Sequence, residues 1–588
     1  MAINRDPVDV VVVGLGWAGS IMSIELAKEG LSVVALERGH DRTNADFAYP
    51  KPADELANSV RHQLMQKPKQ AAVTVRRNLN EVALPNRKLG AFLPGDGVGG
   101  AGLHWTGVLM RPRPTDLHMK TFADEAFGKG VLQQDMQLQD FGVTWEELEP
   151  HYDFFEKVCG ASGQAGNVNG KIIEGGDPFE GQRSNAFPLP PLQDSLSSSM
   201  FRKAASNLGY HVFPNPSANV SEAWTNPYGM QLGPCNFCGF CSNYACLNYS
   251  KASPQTTILD ALKQRPNFEY RTESNVIRVD LNDDKKTAKG VTYIDAAGNE
   301  VFQPAKLVIL SSFSLNNVRL MLLSGIGKPY DPVTGEGVVG RNYAYQLGAA
   351  LHLYYKDLEF NPFATAGANG RQFSDFSPGT FDSAPMGFIG GAKVHGSQPT
   401  GTPIAHPLPG GTPKWGAGWK SALKQNYGHH MSVSLTASNM SYRTNYLDLD
   451  PTYRDPYGLP LLRMTFDWQE NELKLVQFLS EKMRAIVGEL KPDSVTDSIP
   501  KLGARFKTGS YISTHNVGGA PMGTDPRTSA VNRYLQSWDV HNVFVPSGSA
   551  FPQNTQANPT STIAALTYWA AKAIKEQYLK APGPLMQV

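Results

Sequence analysis

Cysteine is scarce in this chain of 588 residues: there are five, and four of them fall within a run of twelve positions. Crowding of that kind excludes a disulfide framework, which needs cysteines spread along the chain. Charge is also thin. Asp, Glu, Lys and Arg make up 18% of the residues and the formal net charge is +1, which excludes the strongly basic balance of a nucleic-acid or anionic-membrane binder. No apolar run approaches the roughly 18 residues that span a bilayer. Met1 to Asp9 lacks the charged-then-apolar pattern of a signal segment. On these grounds alone the sequence reads as soluble and cytoplasmic. It has no internal repeat, no charge block and no low-complexity segment.

What is present is apolar material for a core and many turn formers: 41% hydrophobic residues, 56 Gly and 42 Pro. The length favours two large domains, or one domain with long insertions. The apolar run Val8–Val13 predicts a strand ending at Gly14, Gly19 to Glu29 predicts a helix stopped by Gly30, and Val33–Leu36 predicts a second strand closed by Glu37. A glycine-rich loop follows at Gly95–Gly107. Phe268–Ile294 reads as alternating strands and Lys306–Leu310 as a buried strand. From Tyr330 to Pro500 strand-like pieces (Met431–Ala437, Leu461–Phe466) lie among long loops before a helix at Glu470–Leu490, which reads as an inserted domain on an antiparallel sheet. Val543–Pro546 predicts a last strand and Pro559–Tyr578 a long helix.

Gly14-Leu15-Gly16-Trp17-Ala18-Gly19 fits the dinucleotide fingerprint GxGxxG. Taken alone the string is weak, but here it follows a strand, opens a helix and has Glu37 closing the next strand. In that context Gly14 permits the tight turn, Gly16 admits a pyrophosphate close to the backbone, Gly19 lets the helix pack on the sheet, and Glu37 takes ribose hydroxyls. The helix N-terminus supplies donors to phosphate. An ordinary β-α-β glycine turn is the alternative, and the motif does not choose between NAD and FAD.

The cysteines follow Cys235-x2-Cys238-x2-Cys241-x4-Cys246, with Gly233, Pro234 and Gly239 allowing the backbone to wrap. The spacing approaches a bacterial ferredoxin run, whose last gap is three. An iron–sulfur cluster, a structural zinc and free or paired thiols all stay open. Zinc sites usually group thiols as two separated pairs, whereas this is one compact run. Cys159 stands apart and reads as a buried apolar residue.

Four further segments resemble the glucose–methanol–choline (GMC) family of FAD oxidoreductases. Gly97-Val98-Gly99-Gly100-Ala101-Gly102-Leu103-His104-Trp105-Thr106 is similar to that family's loop against the flavin ring. Glu273-Ser274-Asn275-Val276 is similar to the strand whose backbone meets adenine. Leu322-Leu323-Ser324-Gly325-Ile326-Gly327 matches a family string, and His515 and Asn558 lie in segments similar to the catalytic His/Asn pair of pyranose oxidases. Within the family, the loop, the cysteine run and the stretch Tyr446–Asn471 resemble flavoprotein subunits of bacterial gluconate and ketogluconate dehydrogenases.

The resemblance implies an α/β (α+β overall) architecture: a Rossmann-like FAD-binding domain of GMC type with an inserted substrate domain built on an antiparallel sheet. The expected spans are 1–185 and 186–329 for the first parts of the FAD domain, with the cysteine cluster at 235–246. The substrate domain takes 330–504, and 505–588 closes the FAD domain with the His/Asn pair. FAD would be held by Gly14, Gly16, Gly19, Glu37, Gly99, Gly100, His104, Trp105, Thr106, Val276, Gly548, Asn558 and Thr560. His515 would be the base for a secondary alcohol, with Asn558 holding the same oxygen. The helix starting near Pro559 would aim donors at the charge on reduced flavin.

His104 either bonds covalently to the flavin 8α carbon or packs on the ring. Related FAD sugar dehydrogenases that feed a cytochrome hold 3Fe–4S on three cysteines, which favours 3Fe–4S on Cys235, Cys241 and Cys246. Cys238 is then either spare or the fourth ligand of 4Fe–4S. The implied reaction is oxidation of a sugar acid, gluconate to 2-ketogluconate first, with other sugar or polyol dehydrogenases and O₂-using oxidases as alternatives. The implied partners are a cytochrome c subunit and a small third subunit. They would place the chain at the periplasmic face of the bacterial inner membrane, with membrane attachment only through partners.

Overall fold

β-Branched runs set the first sheet. In the computed structural model, which describes residues 3–43, 73–86, 92, 94–128, 135–397, 404, 406–509 and 513–587, Val8–Val13 forms β1, Trp17–Lys28 forms α1 and Val33–Leu36 forms β2. Asp9, the one polar residue in β1, accepts hydrogen bonds from the Ser32 amide (2.9 Å) and hydroxyl (2.8 Å), fixing β1 against the turn into β2. α1 begins at Trp17, two residues before the expected Gly19, because Gly16 is extended and caps the helix directly after the turn. Every residue of α1 from Trp17 to Ala27 is buried, so it lies inside the molecule and not on a surface.

The sheet continues with β3 (Phe268–Arg271), β4 (Asn275–Leu281), β5 (Ala288–Ile294) and β6 (Glu300–Leu310). Its order is β3-β2-β1-β6-β5-β4; β3, β2, β1 and β6 run parallel, and β5 and β4 return antiparallel. Val543–Phe544 adds in parallel beside β6. That strand is shorter than the expected Val543–Pro546, since Pro546 has no amide hydrogen for a ladder. β6 is longer than the expected Lys306–Leu310. Its first half buries alternate residues and only its second half is apolar on both faces, and a search for an apolar run finds only the second half.

The second sheet is six-stranded and antiparallel throughout. At its centre are β7 (Leu347–Tyr354), β8 (Arg371–Phe373), β9 (Ala392–Ser397) and β10 (His430–Ala437). Phe213–Pro214 and Ser494–Asp497 form the edges. Its two faces differ sharply. Lys393 pairs with Thr436, and His395 pairs with both Ser434 and Gln372. Directly paired residues share a face, so these five make one polar side. Val394, Phe373 and Leu435 make the other, which packs on α2 (Glu470–Leu490) and the helix Leu196–Asn207. α2 has the bounds its sequence predicts.

Strands from both sides of residue 330 enter the same sheets. Val73–Arg76 runs parallel to Pro460–Thr465, and Phe213–Pro214 pairs with β8. The chain closes with α3 (Thr560–Ala573), packed on α1 and on the helix Trp145–Cys159. The expected helix to Tyr578 changes at Ile574 into a wider π turn through Tyr578.

Candidate active site and cofactor cavity

The turn after β1 begins the site. Gly14 has φ +91°, and a Cβ there would lie 2.8 Å from Ser311 O, so only glycine fits. A Cβ on Gly19 would lie 2.0 Å from Gly14 O, which is why the helix can close on the turn. Gly16 differs: its nearest neighbour would be 3.8 Å away. The space it leaves opens into a long cavity lined by Gly14, Leu15, Gly16 and Trp17. The Glu37 carboxylate accepts the Leu15 amide at 3.0 Å and the Gly39 amide at 2.8 Å. It still borders the cavity, beside Arg38 and the backbone of Ser274–Ile277, with Val276 among them.

Gly99 and Gly100 both have positive φ (+91° and +53°), and the Gly99 amide donates to Leu15 O at 2.8 Å. This brings the 95–107 loop onto the fingerprint turn. Gly100, Gly102 and Trp105 line the cavity, and Gly99, His104 and Thr106 are buried or partly buried next to that lining. His104 is 3% exposed and its Nε2 is buried without a hydrogen-bond partner. Burial, and then the charge of Lys251, push its pKa down to about 3. At the other end the cavity reaches Gly548, Pro559 and Thr560. No side chain caps α3, so its first amides stay available to negative charge on a flavin. The donors, the close-approach glycines and the acid at the end of β2 fit FAD.

His515 and Asn558 lie just beyond this wall, between lining neighbours Thr514, Asn516 and Pro559. The structure brings them together: Asn558 Nδ2 is 3.4 Å from His515 Nε2. Two residues that no motif marked complete the group. Gln346 Nε2 donates to Thr555 O (2.6 Å) and Ala557 O (3.1 Å), so its Oε1 faces His515 Nδ1 and accepts from it. Lys393, on β9, donates to Asn558 Oδ1. An ammonium only donates, which turns the Asn558 amide nitrogen toward His515. From both sides the imidazole carries its proton on Nδ1 and leaves the Nε2 lone pair as acceptor. Burial, and then Lys393, lower the His515 pKa to about 3, so the ring is neutral at pH 7. Period-two spacing in Ala392-Lys393-Val394-His395 was the available signal for Lys393; Gln346 had none.

The cysteine run folds against the back of the flavin loop. The Asn243 amide donates to His104 O at 2.9 Å. Lys251, 1% exposed, donates to Trp105 O (2.7 Å), Cys241 O (2.8 Å) and Tyr244 O (2.6 Å). Asn219 Nδ2 lies 3.6 Å from Cys241 Sγ and 4.0 Å from Cys235 Sγ. Gly239, at φ +79°, is required because a Cβ would strike Pro362 O at 2.2 Å. Burial, and then the three neighbouring thiols, push Cys235 up to about 12. Cys235, Cys238, Cys241 and Cys246 supply the donor type of a soft-metal centre. Among the described residues, however, no three His, Cys, Asp or Glu side chains converge on one point that could hold a metal. Cys159 is fully buried.

Sequence models of the GMC oxidoreductase family match residues 139–348 and 441–567. The chain is 53% identical to the gluconate 2-dehydrogenase flavoprotein of Pantoea cypripedii over 99% of its own length and 95% of that protein's. It is 24% identical to the fructose dehydrogenase large subunit of Gluconobacter japonicus, over 96% of this chain and 97% of that one. In fold it is similar to pyridoxine 4-oxidase from Mesorbium loti, with a TM-score of 0.60, 17% identity and 97% and 99% of the two chains covered. With a fingerprint cavity and near-full-length identity to one relative, the chain belongs to the GMC oxidoreductase family and is an FAD-dependent enzyme acting on CH–OH groups.

Proposed function

We propose that this enzyme is a dehydrogenase that oxidises the C2 hydroxyl of a sugar acid, gluconate to 2-ketogluconate foremost. The observation that carries this reading is the 53% identity to a gluconate 2-dehydrogenase flavoprotein over almost the whole chain. FAD, when bound, accepts the carbon-bound hydrogen with its electron pair, and the alcohol carbon becomes a carbonyl. His515 Nε2 takes the hydroxyl proton, in the tautomer that Gln346 and Asn558 favour. Asn558 holds the same oxygen in line.

His104 is the proposed covalent tether, supported by its buried, unpartnered Nε2. Cys235, Cys238, Cys241 and Cys246 would hold an iron–sulfur cluster, 3Fe–4S in preference to 4Fe–4S, which would supply a one-electron carrier between flavin and haem. A cytochrome c subunit and a small third subunit would complete the enzyme at the periplasmic face of the inner membrane. Attachment would fall to those partners, since no described helix here is long and apolar enough to cross a membrane.

The test is anaerobic bleaching of the flavin by gluconate, 2-ketogluconate, sorbitol, fructose and glucose. Gluconate should bleach fastest, and the bleached flavin should reoxidise only slowly in air. Fast bleaching by glucose with stoichiometric peroxide would replace this reading with a sugar oxidase.

A further inference from the structure

The polar face of the second sheet presents a buried cation to the reacting centre. Lys393 is 3% exposed. Its one hydrogen-bond partner is Asn558 Oδ1, and it has no ion pair with any described residue. A buried ammonium without a counter-charge is costly, and a neutral amide does not repay that cost. Along the same strand, His395 Nδ1 is buried without a partner, and the paired Gln372 reaches only Met110 Sδ, at 3.7 Å. This face therefore carries unmet polar capacity, with one positive charge beside the His515–Asn558 pair.

We infer that Lys393 is a substrate-specificity residue that receives the carboxylate of a 2-hydroxy acid. The geometry chooses the carbon. Asn558 spans the interval between the Lys393 ammonium at its oxygen and His515 Nε2 at its nitrogen. In a 2-hydroxy acid the carboxylate and the reacting hydroxyl are on adjacent carbons. A molecule bound to Lys393 through its carboxylate thus brings the adjacent C2 hydroxyl toward His515 across the width of one amide. The remaining hydroxyls of a polyhydroxy chain would extend toward His395 and Gln372. The inference rests on the sugar-acid reading above.

The decisive variant is Lys393→Gln in the holoenzyme, because glutamine keeps a donor for Asn558 while removing the charge. Flavin reduction would be followed with gluconate and with sorbitol, which lacks the carboxylate. The ratio of kcat/KM for gluconate to that for sorbitol should fall by a factor on the order of 10². Equal losses on both substrates would make Lys393 a positioning residue for Asn558 and overturn the inference, as would an unchanged ratio. Should the variant fail to bind FAD, the wild-type enzyme still decides. Inhibition by 2-deoxygluconate should be far tighter than by 2-deoxysorbitol, and equal inhibition would overturn the inference. If no 2-hydroxy acid bleaches the wild-type flavin, the proposed function itself fails. If gluconate bleaches it and the ratio stays fixed, only the role of Lys393 fails.

Discussion

His515 Nε2 is made a base by neighbours that do not touch the substrate carbon. Gln346 is anchored by two backbone carbonyls, and Lys393 in its charged form can only donate, so both favour the proton on Nδ1. His515→Ala should lower the rate of flavin reduction by a factor on the order of 10² while FAD remains bound; near-normal reduction would remove His515 from the chemistry. The pH dependence separates the two groups. His515 acts in its neutral form, and with its pKa lowered to about 3 that form persists throughout the working range. kcat should therefore show no acidic fall between pH 8 and pH 5. Lys393 acts in its charged form, and burial lowers its pKa to about 7. kcat/KM for gluconate should fall as pH rises through that value, while that for sorbitol should not. The titratable groups facing Lys393 are His395, also held near 3, and His515, so neither contributes a competing step.

The 95–107 loop, seen as an element, is a wall with residues on two sides. Trp105 lines the cavity, and the adjoining His104 is buried with Nε2 unpartnered. If His104 tethers the flavin, acid-precipitated protein keeps its yellow colour and His104→Ala releases it; free FAD from the native enzyme would show the bond to be absent.

Elements with a strong local pattern were legible from sequence. β1 and β2 are β-branched runs ended by glycine and Glu37, and α2 is a long amphipathic stretch; all three have their predicted bounds. β7 was missed, since its partners β10 and Ser494–Asp497 come from far along the chain. The first half of β6 was missed because it is polar on alternate residues and contains Pro304. In the candidate site, the pairing of His515 with Asn558 was legible because each is embedded in a motif. Gln346 and Lys393 were not, because their roles arise only where the second sheet meets the C-terminal segment.

At the scale of the whole molecule the cysteine run packs directly on the flavin loop. Thr106 and Cys241 converge on Gly367, where a Cβ would lie 2.8 Å from Thr106 O and 2.5 Å from Cys241 Cβ. If the cysteine run holds the proposed cluster, substrate oxidation and electron exit are separable. Cys241→Ser should leave flavin bleaching by gluconate nearly intact, abolish the iron signal and sharply slow cytochrome reduction. Stoichiometric zinc without iron in anaerobically purified protein would end the electron-exit reading, and loss of folding in the variant would point to a structural metal.

Lys251 gives this contact a mechanical consequence. One ammonium fastens the flavin loop through Trp105 O and the cysteine loop through Cys241 O and Tyr244 O. Two of its three anchors belong to the cysteine loop, so slack in that loop is transmitted to the wall beside the flavin. The two loops are therefore coupled mechanically, and a disturbance of either one reaches the other through a single side chain.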